Sequence, residues 1–163
     1  MGTGKSCVGR AAAEHLHFAF IDTDEIIENE VGRSIPEIFA KQGEAAFRKY
    51  ERDVVNALSA RRATVIATGG GLAADPSNLA SLKSHALVVC LWAAPETIWE
   101  RVRGQAHRPL LQASDPQARI RDLLEERAPA YRQADVLIHT GFRSVKEVVQ
   151  QVLHQFRMAR RET

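Results

Sequence analysis

Two short stretches carry residue types suited to phosphate and proton chemistry. Residues 1–6 read MGTGKS. Gly2 and Gly4 let a backbone wrap an anion with its N–H groups, with Thr3 between them. Lys5 has the reach for outer phosphates, and the Ser6 hydroxyl suits a divalent cation. The run matches the back half of G-x-x-x-x-G-K-[ST], with the leading glycine falling before Met1. On its own it also fits a flexible N-terminal end. Residues 21–24 read IDTD. Carboxylates spaced by one residue, Asp22 and Asp24, point into one crevice when they close a strand, and in parallel sheets that crevice is where ligands bind. One acid can hold Mg²⁺ through water while the other orients or deprotonates a hydroxyl acceptor. The same pair also fits acids that begin a helix.

Further along, Gly69-Gly70-Gly71 follows the run ATVIAT. Three glycines in succession are entropically expensive unless a backbone or a ligand approaches closely. Three arginines complete the set: Arg48 in GEAAFRKYE, Arg108 in HRPLL and Arg127 in EERAPAY. The planar guanidinium suits a bidentate carboxylate or the charge on a transferring phosphoryl group. Any one of them alone reads equally as a solvated surface charge, so their meaning lies in the set.

The elements that must position these residues follow from the apolar pattern. Phe18–Asp22, Ala63–Ala67, Ala86–Trp92 and Val136–His139 are short, β-branched or aromatic runs without strict alternation, as expected of parallel strands covered on both faces. Helical stretches lie between them. One covers Val8–Leu16. A second opens on a capping box, Ser34 with Glu37, has Pro36 in its first turn, and carries the stripe Phe47, Val54, Val55 and Leu58. Others begin at Pro95, at Asp115-Pro116, and at Ser144 with Glu147; Pro129 is expected to end the fourth. Strands alternating with helices predict an α/β domain with a central parallel sheet. The stretch 104–117 lacks periodicity, and an irregular segment of that length suits a lid.

In order and spacing, GTGKS, DTD, GRSI with GE and FR, GGG, RPLL and ERAPAYR together resemble the shikimate kinase family, over residues 1 to about 156. The resemblance implies a single three-layer P-loop kinase domain over 1–163, with family strand order 2-3-1-4-5, a substrate-binding helical region at about 24–60 and the lid at about 104–117. It implies transfer of the γ-phosphoryl of ATP, with Mg²⁺, to the 3-hydroxyl of shikimate in aromatic amino acid biosynthesis. Gly2, Thr3, Gly4, Lys5, Ser6 and Cys7 would hold the nucleotide phosphates. Ser6 and Asp22 would serve the metal, and Asp24 would bind and activate the acceptor hydroxyl. Arg48 and Arg127 would pair with the shikimate carboxylate, beside Gly69, Gly70 and Gly71, with Gly70 donating backbone N–H groups. Arg108 would reach the transferring phosphoryl from the lid, and Arg101 and Arg143 would pack near adenine. Lys5, Asp24 and Arg108 form the expected catalytic set. A gluconate-kinase-like P-loop enzyme fits the GGG turn and the arginine pair less well. A nucleotide-binding domain that has lost turnover differs in its lack of acceptor-dependent ADP release.

Composition excludes other classes. With 163 residues, 45% apolar, 26% charged and a net charge of +2, the chain reads as one soluble domain rather than a nucleic-acid or membrane-surface binder. No apolar run approaches a membrane span, and the polar, glycine-rich start is unlike a secretory leader. Cys7 and Cys90 show no CxxC spacing, so a reducing, cytoplasmic setting is expected, and the resemblance implies a monomer. Cys7 is expected to be a small packing residue, and the six histidines form no metal-ligand pair. The family's first strand, central in its sheet, would precede residue 1. The four strands read here are therefore expected to flank a gap.

Overall fold

The computed structural model describes residues 2–104 and 115–161. The lid expected at 104–117, Arg108 included, lies almost wholly outside the described residues. The element order is α1 (Lys5–Leu16), β1 (Ala19–Asp22), α2 (Thr23–Val31), α3 (Ile35–Leu58), β2 (Thr64–Ala67), a 3₁₀ turn (Leu72–Ala74), α4 (Pro76–Lys83), β3 (Val89–Trp92), α5 (Pro95–Val102), α6 (Pro116–Tyr131), β4 (Val136–His139) and α7 (Val145–Ala159). All four expected strands form, trimmed at their N-terminal ends where Phe18, Ala63 and Ala86–Val88 stay outside the ladders.

The strands make two separate parallel pairs, β1–β2 and β3–β4. Register places Asp22 beside Ala67 and Trp92 beside His139. The carboxyl ends of each pair therefore coincide, and the loops that follow emerge together. A family order of 2-3-1-4-5 without its first strand leaves the pairs 2-3 and 4-5, which is the arrangement seen.

Helix α1 stands between the pairs. Val8 and Ala12 bury themselves with Ile138, Val148, Val149 and Leu153, against β4 and α7. On the other side Gly9 lies so close to the first pair that a Cβ there would come within 2.8 Å of the Phe20 ring. The largest core joins α2 and α3 through Ile27, Ile38, Phe47, Val55 and Leu58, closed by Leu72 and Leu82. A third, smaller cluster (Ala93, Ile98, Val102 and Ile120) ties α5 to α6.

Local chemistry explains most boundaries. Both expected capping boxes are present, Ser34 with Glu37 and Ser144 with Glu147. Asp75 and Asp115 cap α4 and α6, each followed by proline in the first turn. Two expectations need correction. Pro129 does not end α6, which continues to Tyr131. A proline in the last turn removes a single N–H donor where few bonds remain to be lost. Gly43, by contrast, interrupts α3: at φ +80° and ψ 173° it kinks the helix between its capping box and the segment that carries Arg48.

Candidate active site

The loop before α1 is built by its glycines. Gly2 and Gly4 have φ of +65° and +89°, in the left-handed region that other residues avoid. Gly2 is also pressed against α5, where a Cβ would come within 2.9 Å of Val102 Cγ1. Gly4 is the N-cap of α1 and supplies no side-chain cap. No cap side chain thus stands over the start of the helix, where the helix dipole favours negative charge.

The loop opens into a cavity of about 740 Å³. Gly2, Thr3, Gly4, Lys5, Ser6 and Cys7 line it, together with Asp22, Asp24, Gly69, Gly70, Arg101, Arg127 and Arg143. Cys7 is exposed rather than packed as expected, because the buried stripe of α1 falls on Val8, Ala12 and Ala13, one step around the helix. Arg48 and Gly71 do not line the cavity. They stand against one another at its edge, and a Cβ on Gly71 would overlap Arg48 Nη1.

In the structure IDTD both closes a strand at the cavity and begins a helix. Asp22 is the last residue of β1 and also the N-cap of α2, its Oδ1 accepting from the Asp24 N–H at 3.1 Å. Its other oxygen, Oδ2, accepts from Ser6 Oγ at 2.8 Å. The hydroxyl of the loop and the first acid are therefore adjacent. Asp24 projects from the first turn of α2 against the glycine run, and a Cβ on Gly69 would lie 2.5 Å from its Oδ1. Burial, reinforced by the nearby charges of Asp22 and Glu51 and opposed by Lys5, pushes the Asp24 carboxyl up to about 6. A carboxylate held near neutrality inside a cleft is suited to proton transfer.

The glycine run is not a positive-φ turn, since none of its three residues lies in the left-handed region. Gly69 and Gly71 are instead glycines because Asp24 and Arg48 occupy the space their Cβ atoms would fill. The Gly69 N–H donates to Thr23 Oγ1 at 3.1 Å, and Thr23 is fully buried. Thr23→Val leaves that N–H without its acceptor. It is expected to lower stability by about 1–2 kcal/mol, measured as a lower urea midpoint at unchanged slope.

Several contributors have no motif of their own. Arg48 donates to Glu51 Oε2 and to Glu44 Oε1, both at 2.7 Å, and Glu51 is 1% exposed. Burial raises the Glu51 carboxyl above its ordinary range, and Arg48 and Arg127 partly offset this. Burial works against the Arg48 charge too, but hydrogen bonds to Glu51 and Glu44 more than restore it. Tyr131 donates its hydroxyl to the Gly70 carbonyl at 2.7 Å. Arg101 donates to Thr140 Oγ1 at 3.0 Å and to the Thr140 carbonyl at 2.6 Å, joining α5 to the end of β4. Arg143 donates to the His139 carbonyl at 2.7 Å. Helical spacing was the available signal for two of these: Glu51 lies three residues after Arg48, and Tyr131 four after Arg127. The buried Thr140 left no sequence signal.

A glycine loop running into a helix, with a lysine and a serine at its start and strand-end acids facing it, defines a P-loop phosphotransferase. The family model described as Shikimate kinase matches residues 1–157. A shikimate kinase from Caldanaerobacter subterraneus subsp. tengcongensis is 45% identical over 156 residues, covering 96% of this chain and 91% of that protein. One from Thermus thermophilus is 46% identical over 156 residues, covering 95% and 85%. Among solved structures, the Acinetobacter baumannii shikimate kinase in complex with shikimate superposes with a TM-score of 0.92 at 40% identity, covering 98% of this chain and 89% of that one. The Bacteroides thetaiotaomicron enzyme gives 0.89 at 30% identity, covering 96% and 94%. The chain belongs to the shikimate kinase family, and it is a kinase of the P-loop α/β fold.

Proposed function

We propose that the cavity performs ATP-dependent phosphorylation of the 3-hydroxyl of shikimate, giving shikimate 3-phosphate and ADP in aromatic amino acid biosynthesis. The observation that carries the reading is that the phosphate loop, the acid pair and the Gly70–Arg127 wall open onto one cavity. Phosphoryl transfer asks little covalent work of a protein; it needs alignment and compensation of charge. Gly2–Ser6 wrap the nucleotide phosphates, and Lys5 balances their negative charge. Asp24 hydrogen-bonds the acceptor hydroxyl and takes its proton as the oxygen attacks. Arg127, from α6, and Arg48, from α3, pair with the acceptor carboxylate, which separates shikimate from neutral sugars. Arg101 and Arg143 border the nucleotide base, and Arg108, by resemblance, adds positive charge at the transferring group.

Ser6 Oγ and Asp22 Oδ2, 2.8 Å apart, fit a magnesium ion that keeps most of its ligands as water and phosphate. Such an ion, when bound, neutralises charge on the phosphate oxygens. Among the described residues no group of three His, Cys, Asp or Glu side chains could hold a metal by itself, in keeping with a site completed by the nucleotide. The reading takes the chain as a cytoplasmic monomer, and no described helix is long and apolar enough to cross a membrane.

The test is coupled ADP release with and without shikimate. Release that rises with shikimate supports the reading, and release no higher than the no-shikimate control removes it. In the same assay Arg127→Ala is expected to raise the shikimate KM by about 30-fold, the scale of one charge-assisted pair. An unchanged KM would remove Arg127 from the carboxylate.

A further inference from the structure

We propose that Tyr131 is a positioning residue for the acceptor half of the site, setting the direction of the Gly70–Gly71 peptide and the placement of Arg127. The inference rests on the shikimate reading given above. Tyr131 is the last residue of α6 and lies four residues after Arg127, so both side chains leave the same face of the helix. Its hydroxyl donates to the Gly70 carbonyl at 2.7 Å, across 61 residues of sequence. This bond ties the end of α6 directly to the loop after β2.

Peptide geometry gives the contact its consequence. The unit joining Gly70 to Gly71 is planar and trans, so its C=O and N–H point in opposite directions. Holding the Gly70 oxygen on Tyr131 therefore also fixes where the Gly71 N–H points. With no side chain at 69, 70 or 71, the orientation of the run depends on contacts to its backbone. The flanking residues are held by other contacts: the Gly69 N–H donates to Thr23 Oγ1, the Gly69 and Gly71 carbonyls accept from the Leu72 and Ala74 N–H groups at 3.2 and 3.0 Å, and Gly71 packs on Arg48. Tyr131 supplies the hold on the Gly70 carbonyl, in the cavity lining between them.

Arg127 lies one helical turn before Tyr131 on the same face of α6 and lines the cavity. Burial pushes the Tyr131 hydroxyl above its ordinary range, and the charge and hydrogen bonding of Arg127 partly offset this. One hydroxyl links the arginine expected to pair with the acceptor carboxylate to the backbone expected to meet the acceptor ring.

Tyr131→Phe removes the hydroxyl and keeps the ring. In coupled ADP release the shikimate KM is expected to rise about 3- to 10-fold, the scale of one hydrogen bond. The ATP KM and kcat are expected to stay within about twofold. A purely structural role would instead lower the melting temperature or reduce all three parameters together. A second measurement is the cycle with Arg127→Ala. The double variant's KM increase is expected to fall short of the product of the single ones, because the two groups act through each other. An unchanged shikimate KM in Tyr131→Phe, or fully multiplicative effects, overturns the proposal while leaving the kinase reading intact. A wild-type chain with no shikimate-dependent ADP release overturns both.

Discussion

Asp24→Asn is expected to lower kcat by about 10³-fold while nucleotide binding is retained, because general-base catalysis contributes on that scale. The amide keeps the shape of the side chain but cannot accept the proton of the acceptor hydroxyl. Single-turnover phosphoryl transfer and fluorescent-nucleotide titration separate the two effects, and wild-type turnover in the variant would remove Asp24 from its role. The raised carboxyl makes two further statements. In the wild-type chain kcat/KM for shikimate should fall on the acid side with a midpoint near pH 6, where Asp24 takes up its proton. Stability should respond in the opposite direction. A carboxyl with a folded pKa of about 6 against an ordinary value of 3.8 binds its proton more tightly when folded. Its charged form therefore opposes folding above pH 6, and the penalty disappears below about pH 4. Asp24→Asn should accordingly be more stable than wild type at pH 8, by on the order of 2 kcal/mol, with the gain vanishing at pH 4. Denaturant unfolding at the two pH values checks this, and a variant less stable at pH 8 contradicts it.

Gly71→Ala is expected to raise the shikimate KM by about 100-fold, the range found when one member of a buried charge pair is displaced. The added methyl overlaps Arg48 Nη1, and that nitrogen holds Glu51 at 2.7 Å. Arg48 is the more mobile partner, so the guanidinium shifts and its aim is lost. The backbone of Gly71 is not in the left-handed region, so alanine brings no φ strain there. Combining Gly71→Ala with Arg48→Ala should therefore add little to the effect of Arg48→Ala alone. Independent effects of the two changes would mean that the methyl acts elsewhere.

Strand positions, five of the described helices and both capping boxes were legible because apolar runs and cap residues are local signals, whereas the short helices α2 and α4 were not read. Most of the cavity was legible for a related reason: its residues sit on loops at strand ends, where motifs are contiguous in sequence. What escaped depends on which side chains face one another. IDTD admitted two readings because the alternatives were not exclusive, with Asp22 ending a strand and capping a helix in a single residue. Cys7 was misplaced because helical phase alone decides whether it joins the stripe of Val8 and Ala12. Pro129 carries a strong breaking signal that position in the last turn cancels. Arg48 and Gly71 were chosen for the site, yet they stand at the cavity's edge rather than in its lining, an arrangement set by Glu44 and Glu51. Neither acid belongs to a motif.

The placement of α1 has a mechanical consequence. Among the described residues the pairs β1–β2 and β3–β4 share no ladder, and both pack on this helix. Together with the Tyr131–Gly70 bond and the Lys83–Asp135 ion pair, α1 couples the two pairs, and its start runs directly out of the glycine loop. A displacement of that loop is therefore felt by both strand pairs at once, through the helix that packs on each.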